Sequence, residues 1–500
     1  MQQEAVKKLR RVKIDTYREV IAFLYKEQTT GPSLGLHPLD RVELCWEGKK
    51  ILAVLNLTEE PFLNKHEVGL SEYGFLQFGV PEGAEVEIHP APPPSSLELI
   101  KKKVYGNPLT PTEYMKIIQD IVAGRYSKAE LAAFVTACSV HRLPDGEVVA
   151  LAEAMVQTGE VLDFHEDLVV DKHSIGGVPG NRTTLILVPI IAAYGLPIPK
   201  TSSRAITSPA GTADTAEALA NVDLPLQTIY EIVHQERGCF VWGGALKLAP
   251  ADDIIISVER PLSLDCEGQM IASILSKKKA AGSTHILIDI PVGPGTKVEQ
   301  MDHAQHLLTR FENIGAQLGL HVKVILTDGS QPIGNGIGPG LEARDVLKVL
   351  KNDTGAPQDL KEKSILLAAE ILTFTEGLDL WEAKQTTRRI LESGEALAKM
   401  ERIRALQGSR ILPKLSPYHH DVCASHSGVI TAIGNREIAR IARLAGAPKN
   451  KRAGVLLFKK VGAQIEAGEP IFRIYASNPT TLKFASQFWE EHKTAIQISS

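Results

Sequence analysis

The sequence contains few cysteines and no long apolar run, and each shortage excludes a class of protein. Its longest apolar run, from Leu185 to Tyr194, includes a proline and is too short to span a bilayer. The five cysteines are scattered, odd in number and never spaced as CxxC, which argues against a disulfide framework and a cysteine zinc site. They are Cys45, Cys138, Cys239, Cys266 and Cys423. We therefore expect a reducing compartment and no membrane segment.

A large excess of either charge is also missing. The 55 basic and 59 acidic residues give a net charge of −4, and no strongly basic stripe is present. By bulk electrostatics we therefore expect no nucleic-acid partner. The first residues, MQQEAVKKLRRVKID, are basic but no apolar segment follows them, so we expect no signal peptide and a cytoplasmic protein.

Changes in composition predict how the 500 residues divide, since a chain of this length exceeds what one core supports. Short alternating stretches with Gly and Pro turns come first, and a Pro-rich spacer follows them. The predicted divisions are a β-rich domain over 1–89, a linker over 90–96, a helical lobe over 97–165 joined by about 250–280, an α/β lobe over 166–412, and a β-rich, barrel-like domain over 413–500.

Two capping boxes predict helices after the linker. Thr110 with Glu113 precedes one apolar-periodic stretch, and Ser127 with Glu130 precedes the next. From Leu168 onward, apolar runs alternate with helical windows, which is typical of an α/β layer with a mainly parallel sheet. The runs interpreted as strands are LVVD, TLILVPII, ILIDIPV and VKVILTD.

The stretch from Lys172 to Arg182, KHSIGGVPGNR, places a cation, an imidazole, a hydroxyl and a glycine pair directly behind an apolar run. Such a loop lets backbone N–H groups, a lysine and a serine converge on one small anion. On these residues alone, an ordinary tight turn remains the alternative.

The segment SSRAITSPAGTADTAE, from Ser202 to Glu217, crowds six hydroxyl residues and one arginine before a predicted helix. Hydroxyls and N–H groups at a helix start favour an anion. A Ser/Thr-rich capping loop would have the same composition, so both interpretations stay open here.

Two more clusters carry candidate ligands. In DCEGQMIASILSKKKAAG, which begins at Asp265, Ser273 and Lys277 are four residues apart and share one face of a helix. The pair suits the carbonyls of a planar base, but it also suits a solvated surface. Lys297 follows a Gly-Pro-Gly turn at a strand end, where α/β sheets bind ligands.

Together these motifs resemble those of the thymidine and pyrimidine-nucleoside phosphorylases. SSRAITSPAGTADTAE is similar to the family signature, DKHSIGGV to its phosphate loop, and ASILSKKKAAG to its base-contacting helix. The resemblance runs from about Leu97 through the C-terminal module. It implies reversible phosphorolysis of an N-glycosidic bond by a helical lobe and an α/β lobe. It also implies a homodimer or larger homo-oligomer, with no metal and no organic cofactor.

The resemblance further implies roles for single residues. His173 occupies the place of a histidine proposed to protonate the leaving pyrimidine, and Ser273 and Lys277 would face the base. The residues that would bind inorganic phosphate are Lys172, Ser174, Ser202 and Thr212.

Two departures leave the substrate open between thymidine and AMP. Pyrimidine-specific relatives carry an arginine that reads the base, and its place is Val258 here, with Arg260 two residues away. The extra N-terminal domain resembles the longer branch that includes archaeal AMP phosphorylase, whose product is ribose 1,5-bisphosphate. An aspartate at the place of Asp265 donates the proton there, although Asp265 also suits a helix N-cap. The positions that match nucleotide contacts are Gly177, Ser203, Arg204, Ala205, Ile206, Thr207, Ser208, Thr212, Ser273 and Lys297.

Two rival functions are weighed against phosphorolysis. A phosphoribosyltransferase of the anthranilate type shares the two-lobe fold but needs an acidic Mg-pyrophosphate loop, which we do not find in the sequence. A non-catalytic family member would have lost the lysine, arginine or hydroxyls of the motifs, and all of these are present.

Overall fold

The computed structural model describes residues 6–16, 19–26, 36–205, 208–262, 264 and 266–499. The chain divides into two compact units. The first comprises Met1–His141 and Ile254–Leu264, and the second comprises Arg142–Asp253 and Asp265–Ser500. The domain boundaries predicted from the sequence stay predictions.

Six strands of the first unit close into a β-barrel in the order β1–β5–β2–β4–β3–β6. Strand β1 runs parallel to β5 and β2 parallel to β4, and the remaining neighbours are antiparallel. Alternate side chains fill the interior, as a period of two requires. The elements are β1 (Val6–Val12), β2 (Ile21–Tyr25), β3 (Arg41–Trp46), β4 (Lys49–Thr58), β5 (Glu67–Ser71), α1 (Glu72–Phe78) and β6 (Glu85–Pro90). The predicted β-rich N-terminal region is confirmed.

Three helices follow the barrel: α2 (Leu97–Val104), α3 (Pro111–Val122) and α4 (Lys128–Val140). Both capping boxes form. The Thr110 hydroxyl accepts from the Glu113 amide and the Ser127 hydroxyl accepts from the Glu130 amide, while each glutamate binds the cap residue's own amide. The predicted helix starts are therefore confirmed at these two positions.

The second unit alternates helices and strands from residue 145 to about 407 and then becomes richer in strands. Its elements are α5 (Asp145–Gln157), β7 (Val170–Ser174), α6 (Thr183–Tyr194), β8 (Ile198–Ser202), α7 (Thr212–Glu217), α8 (Leu226–Glu236), β9 (Gly238–Trp242), α9 (Pro250–Leu262), α10 (Glu267–Ala280), β10 (His285–Val292), α11 (Met301–Gln317), β11 (His321–Asp328), β12 (Gly336–Ile337), α12 (Pro339–Leu350), α13 (Gln358–Leu372), α14 (Leu380–Glu392), α15 (Glu395–Gln407), β13 (His419–Cys423), β14 (Gly428–Ile433), α16 (Asn435–Ala445), β15 (Gly454–Leu457), β16 (Gln464–Ile465), β17 (Pro470–Tyr475), α17 (Pro479–Glu491) and β18 (Ile496–Ser499). Helix α9 belongs to the first unit from Ile254 onward.

The α/β part contains a parallel sheet in the order β11–β10–β7 and a separate parallel pair, β8–β9. In the three-stranded sheet, Lys172 is paired with Leu287 and Ser174 with Asp289. The carboxyl ends of these strands meet at one edge, where α/β sheets bind ligands. The predicted α/β class with a mainly parallel sheet is confirmed for this part of the chain.

One predicted strand is wrong. TLILVPII was interpreted as a strand, but it lies in helix α6, whose residues 183 to 192 are all buried. A short continuous apolar run does not distinguish a buried strand from a buried helix by periodicity. Helix α6 packs in the core formed with α13, α14 and α15, so every side of it meets apolar side chains.

The C-terminal strands form two sheets, ordered β12–β15–β17–β13 and β16–β14–β18. Helices α16 and α17, which the sequence analysis did not predict, pack with them around a shared apolar core. Within the ranges that the structure describes, no helix is long and apolar enough to cross a membrane.

Candidate active site

The predicted ligands of strand β7 lie on both of its faces. Because successive side chains of a strand point to opposite faces, Lys172 and Ser174 share one face, while Asp171 and His173 share the other. The first face lies towards the core that holds Val170 and Leu287. A single strand therefore builds two separate polar clusters.

The first cluster surrounds the Lys172 ammonium, whose side chain is only 1% exposed. Its Nζ atom donates to Thr183 Oγ1 at 3.2 Å and lies 3.5 Å from Asp289 Oδ2. Ser174 Oγ donates to the same Asp289 oxygen at 3.0 Å. Burial lowers the pKa of Lys172 to about 8, against the opposing attraction of Asp289. Lys172 and Ser174, two of the predicted phosphate ligands, are thus brought together.

Asp289, which sequence reasoning missed, is the shared acceptor of this cluster. It is fully buried, and it also accepts from Thr327 Oγ1 at 2.5 Å. Lys363 on α13 lies 3.5 Å from its other oxygen. Burial raises the pKa of Asp289, but the two ammonium groups outweigh it, so the net shift is downward. A carboxylate inside the apolar run ILIDIPV was the signal that could have identified it.

The second cluster lies on the other face of β7. Asp171 is fully buried and its two oxygens lie 2.8 Å from Lys200 Nζ and 2.6 Å from Lys278 Nζ. Both ammonium groups also donate to the carbonyl of Thr201, at 2.7 and 3.3 Å. Burial, opposed by Asp171, lowers the pKa of Lys278 to about 7. These contacts connect β8 and α10 to β7. They include the carbonyl of Thr201, the residue directly before Ser202.

His173, on the same face as Asp171, is half-buried. Desolvation and the nearby cations, with Lys278 first among them, hold the pKa of its imidazole well below the usual range. The ring is therefore neutral at pH 7 and offers one N–H donor and one acceptor nitrogen. In this state it is a poor proton donor but a competent hydrogen-bond donor.

The glycine loop after β7 is closely fitted to the turn that carries Lys297. Gly176 and Gly177 both have positive φ, at 94° and 96°. A Cβ atom on Gly177 would lie 2.5 Å from the Lys297 amide nitrogen and 2.6 Å from Thr296 Cα. Only glycine allows this approach, so the structure places predicted residues Gly177 and Lys297 next to each other.

The hydroxyl-rich segment after β8 is closed by Asp214. Its carboxylate accepts from the backbone amides of Ala205 at 2.7 Å and Gly211 at 2.8 Å, which brings the two ends of the loop together. Thr212 is the first residue of α7. Ser208 donates to the carbonyl of Ala210 at 2.9 Å. The predicted residues Ile206 and Thr207 lie outside the described residues.

Arg204 is engaged in ion pairing within this segment. It binds both carboxylate oxygens of Glu217 at 2.9 Å and stacks over Trp242, with 4.8 Å between the guanidinium carbon and the ring centre. Lys451 lies 2.6 Å from the same carboxylate. These cations lower the pKa of Glu217 to about 2. These contacts indicate that Arg204 supports the loop. The nucleotide-binding role predicted for Arg204 stays a prediction.

Ser202 and Ser203 differ from their neighbours. The Ser202 hydroxyl is buried, and within the described ranges it has no hydrogen-bond partner. A buried polar atom in this state costs free energy unless a ligand or water satisfies it. Ser203 is exposed, and its carbonyl accepts from the Ala213 amide at 3.4 Å.

The two loops meet at Glu342 of helix α12. Arg182, at the end of the first loop, contacts Glu342 and the carbonyl of Ala210. Thr215, after the second loop, donates to the same glutamate at 2.7 Å. The two segments predicted to grip phosphate are therefore joined through shared partners.

Ser273 and Lys277 share one face of α10, as their spacing predicts, and both bind Asp252. Ser273 Oγ donates to Asp252 Oδ2 at 2.9 Å, and Lys277 forms an ion pair with the same oxygen. Asp252 is buried and was missed by the sequence analysis. The predicted proton donor Asp265 lies outside the described residues, and Val258, at the place of the base-reading arginine, is buried.

Three family models match consecutive parts of the chain. They are the helical bundle domain of a glycosyl transferase family over residues 97–159, its a/b domain over 166–397, and the pyrimidine nucleoside phosphorylase C-terminal domain over 429–499.

Two similar relatives, both named "Putative thymidine phosphorylase", cover nearly the whole chain. The protein from Albidiferax ferrireducens is 50% identical over 96% of this chain and 93% of its own. The protein from Methylococcus capsulatus is 49% identical over 97% of this chain and 95% of its own.

A solved structure, the anthranilate phosphoribosyltransferase of Thermus thermophilus, is similar in fold to part of this chain. It aligns with a TM-score of 0.51 and 20% identity, over 62% of this chain and 98% of its own. At that identity the likeness concerns the fold alone. With the near-full-length relatives and the matched domains, the chain belongs to the thymidine and pyrimidine-nucleoside phosphorylase family of pentosyltransferases, which act on small nucleosides with inorganic phosphate.

Proposed function

We propose that this protein catalyses the reversible phosphorolysis of a nucleoside N-glycosidic bond, with orthophosphate bound at the Lys172 cluster. One observation carries the proposal: a fully buried lysine lies beside a serine and a threonine at the carboxyl edge of a parallel sheet. Buried ammonium and hydroxyl groups are suitable donors for a phosphate dianion. The unpartnered Ser202 hydroxyl offers a further donor.

In the proposed reaction, a phosphate oxygen forms a bond to the anomeric carbon while the bond from that carbon to the base nitrogen breaks. The electron pair of the broken bond leaves with the base, which takes up a proton. Holding both reactants in line supplies about 7–11 kcal/mol in favourable cases. Ser273 and Lys277 would face the base, and their shared partner Asp252 would orient them.

His173 and Asp265 are the two candidates for the proton donor. The depressed pKa of His173 favours a neutral imidazole that donates a hydrogen bond to the base. Asp265 would act as an acid only if burial or a like charge raised its pKa. Asp265→Asn should lower kcat strongly if Asp265 is the acid, and undiminished turnover would leave His173 as the candidate.

Thymidine is the first substrate to test, because the named relatives are called thymidine phosphorylases. AMP is the second, because the exposed Lys297 lies beside Gly177 and both match nucleotide contacts of the longer branch. Thymidine, uridine, AMP, CMP and UMP should be assayed side by side. A sugar monophosphate as product supports a nucleoside substrate, and a bisphosphate supports a nucleotide.

The decisive experiment is release of free base with and without inorganic phosphate. We expect release only when phosphate is present, and equal release without phosphate would contradict phosphorolysis. We also propose that no metal or organic cofactor is needed, so turnover should survive exhaustive dialysis against a chelator. A homodimer or larger homo-oligomer and a cytoplasmic location belong to the same proposal, and light scattering of the purified protein tests the first of these.

A further inference from the structure

The Lys172 cluster contains a second cation that no predicted role accounts for. Lys363 projects from α13, and its Nζ atom donates to Thr327 Oγ1 at 2.9 Å and lies 3.5 Å from Asp289 Oδ1. Its side chain is only 9% exposed. Lys363 therefore lies beside one carboxylate oxygen of Asp289, and Lys172 lies beside the other.

The charges of this buried group do not balance. One carboxylate, Asp289, faces two ammonium groups, which leaves one positive charge in excess. Burial lowers the pKa of Lys363, as it lowers that of Lys172 to about 8, and Asp289 opposes both shifts. The charge of Arg182 also lowers the pKa of Lys172, whereas the charge of Asp328 raises the pKa of Lys363. An uncompensated buried charge is costly, so the excess favours the arrival of an anion.

Asp289 competes with phosphate for the donors of this cluster. The Ser174 hydroxyl has a single proton and donates it in a hydrogen bond to Asp289, and the Lys172 ammonium, which also donates to Thr183, lies 3.5 Å from the same oxygen. If both turn to phosphate, the carboxylate of Asp289 remains buried beside a dianion. A cation that stays with Asp289 is then required, and Lys363, which α13 carries, is anchored to Thr327 of β11.

We propose that Lys363 is a positioning residue of the phosphate site. Its ammonium compensates the negative charge of Asp289, so that Lys172 and Ser174 can bind orthophosphate. This inference rests on the proposed function, because it takes orthophosphate as the ligand of Lys172. Lys363 acts through Asp289 and need not touch the substrate.

The test compares Lys363→Met with Lys361→Met. Lys361 lies on the same helix, and its Nζ is 3.1 Å from Glu392 Oε1, so its variant loses a more exposed ion pair outside the cluster. In Lys363→Met, we expect the KM for phosphate to rise about tenfold or more, the scale of one nearby charge at reduced dielectric. The KM for the nucleoside and kcat at saturating phosphate should change little. Lys361→Met should match the wild type.

Two further variants separate positioning from general damage. Lys363→Gln keeps a donor for Thr327 without the charge, so it should behave as Lys363→Met does even if the methionine variant folds poorly. Lys363→Arg should recover part of the phosphate affinity. The double variant Asp289→Asn with Lys363→Met restores one excess positive charge, and its KM for phosphate should move back towards the wild-type value.

Calorimetric titration with inorganic phosphate alone gives the same comparison without turnover. An unchanged KM for phosphate in both uncharged Lys363 variants would overturn the inference, and so would an equal rise in both KM values with a fall in kcat. Equal base release by the wild type with and without phosphate would instead overturn the proposed function. The two failures are therefore distinguishable.

Discussion

Replacing Asp171 by asparagine tests whether the second charge cluster needs its carboxylate. Asparagine keeps the shape of the side chain but removes the charge, so Lys200 and Lys278 face each other without an anion between them. Their side chains are each 5% exposed, so water does little to screen them. Removing one partner of a buried ion pair typically costs about 3–5 kcal/mol.

The free-energy cost of removing the proton from one of the two lysines has the same magnitude. One lysine can avoid the uncompensated charge by giving up its proton, and from an unfolded pKa of about 10.4 this costs about 4–5 kcal/mol at pH 7. We therefore expect Asp171→Asn to lower the free energy of unfolding by about 3–5 kcal/mol at pH 7. The exposed Asp167, in the segment leading into β7, supplies the control variant Asp167→Asn, which should stay within about 0.5 kcal/mol of the wild type.

Urea denaturation at pH 7 and pH 9 measures both the size and the origin of the loss. A lysine whose folded pKa is depressed binds fewer protons folded than unfolded, so its fold gains stability as pH rises towards the unfolded pKa. The wild type already has this slope for Lys278, whose pKa is about 7. The variant adds a second such lysine, so its deficit should shrink by about 1.4 kcal/mol per pH unit. A deficit below about 1 kcal/mol at pH 7, or one that is equal at both pH values, would refute the reasoning.

Two further predictions concern the loops. Gly177→Ala should lower both stability and activity, because its Cβ would lie 2.5 Å from backbone at Lys297, whereas Gly176→Ala, which has a similar φ and nothing within 4 Å, should lose only about 1–2 kcal/mol of backbone strain. Equal urea midpoints and equal kcat/KM for the two variants would contradict the close fit. Glu217→Gln should cost about 1–2 kcal/mol at pH 7, a value discounted for partial exposure. Because the pKa of Glu217 is lowered to about 2, this stabilisation is complete above its unfolded pKa and is lost as pH falls towards 2. A deficit in Glu217→Gln that persists undiminished at pH 2 would show that it does not arise from this ion pair.

Local signals predicted much of the architecture. The capping boxes at Thr110 and Ser127 specify helix starts through contacts three residues apart, so the sequence contains all the partners that matter. Strand β10 was likewise recognisable from its apolar run. Helix α6 was not, because its run is buried on all sides and loses the period that would separate helix from strand.

The candidate site was predicted in part for the same reason. The glycine loop and the spacing of Ser273 and Lys277 are local patterns, and the structure shows the close approach and the shared face that they imply. Lys363 lies 74 positions beyond Asp289 in the sequence, and their pairing depends on how α13 packs against β10. No pattern within α13 distinguishes Lys363 from Lys361, the other lysine of that helix, so only the tertiary structure identifies it.

The most direct test of the account is the KM for phosphate in Lys172→Met, measured alongside the KM for the nucleoside. Methionine keeps the length and apolar stem of the buried side chain but removes the ammonium. If the Lys172 cluster binds orthophosphate, the KM for phosphate should rise at least about tenfold while that for the nucleoside stays close to the wild-type value. A folded Lys172→Met protein that uses phosphate as well as the wild type does would contradict the account.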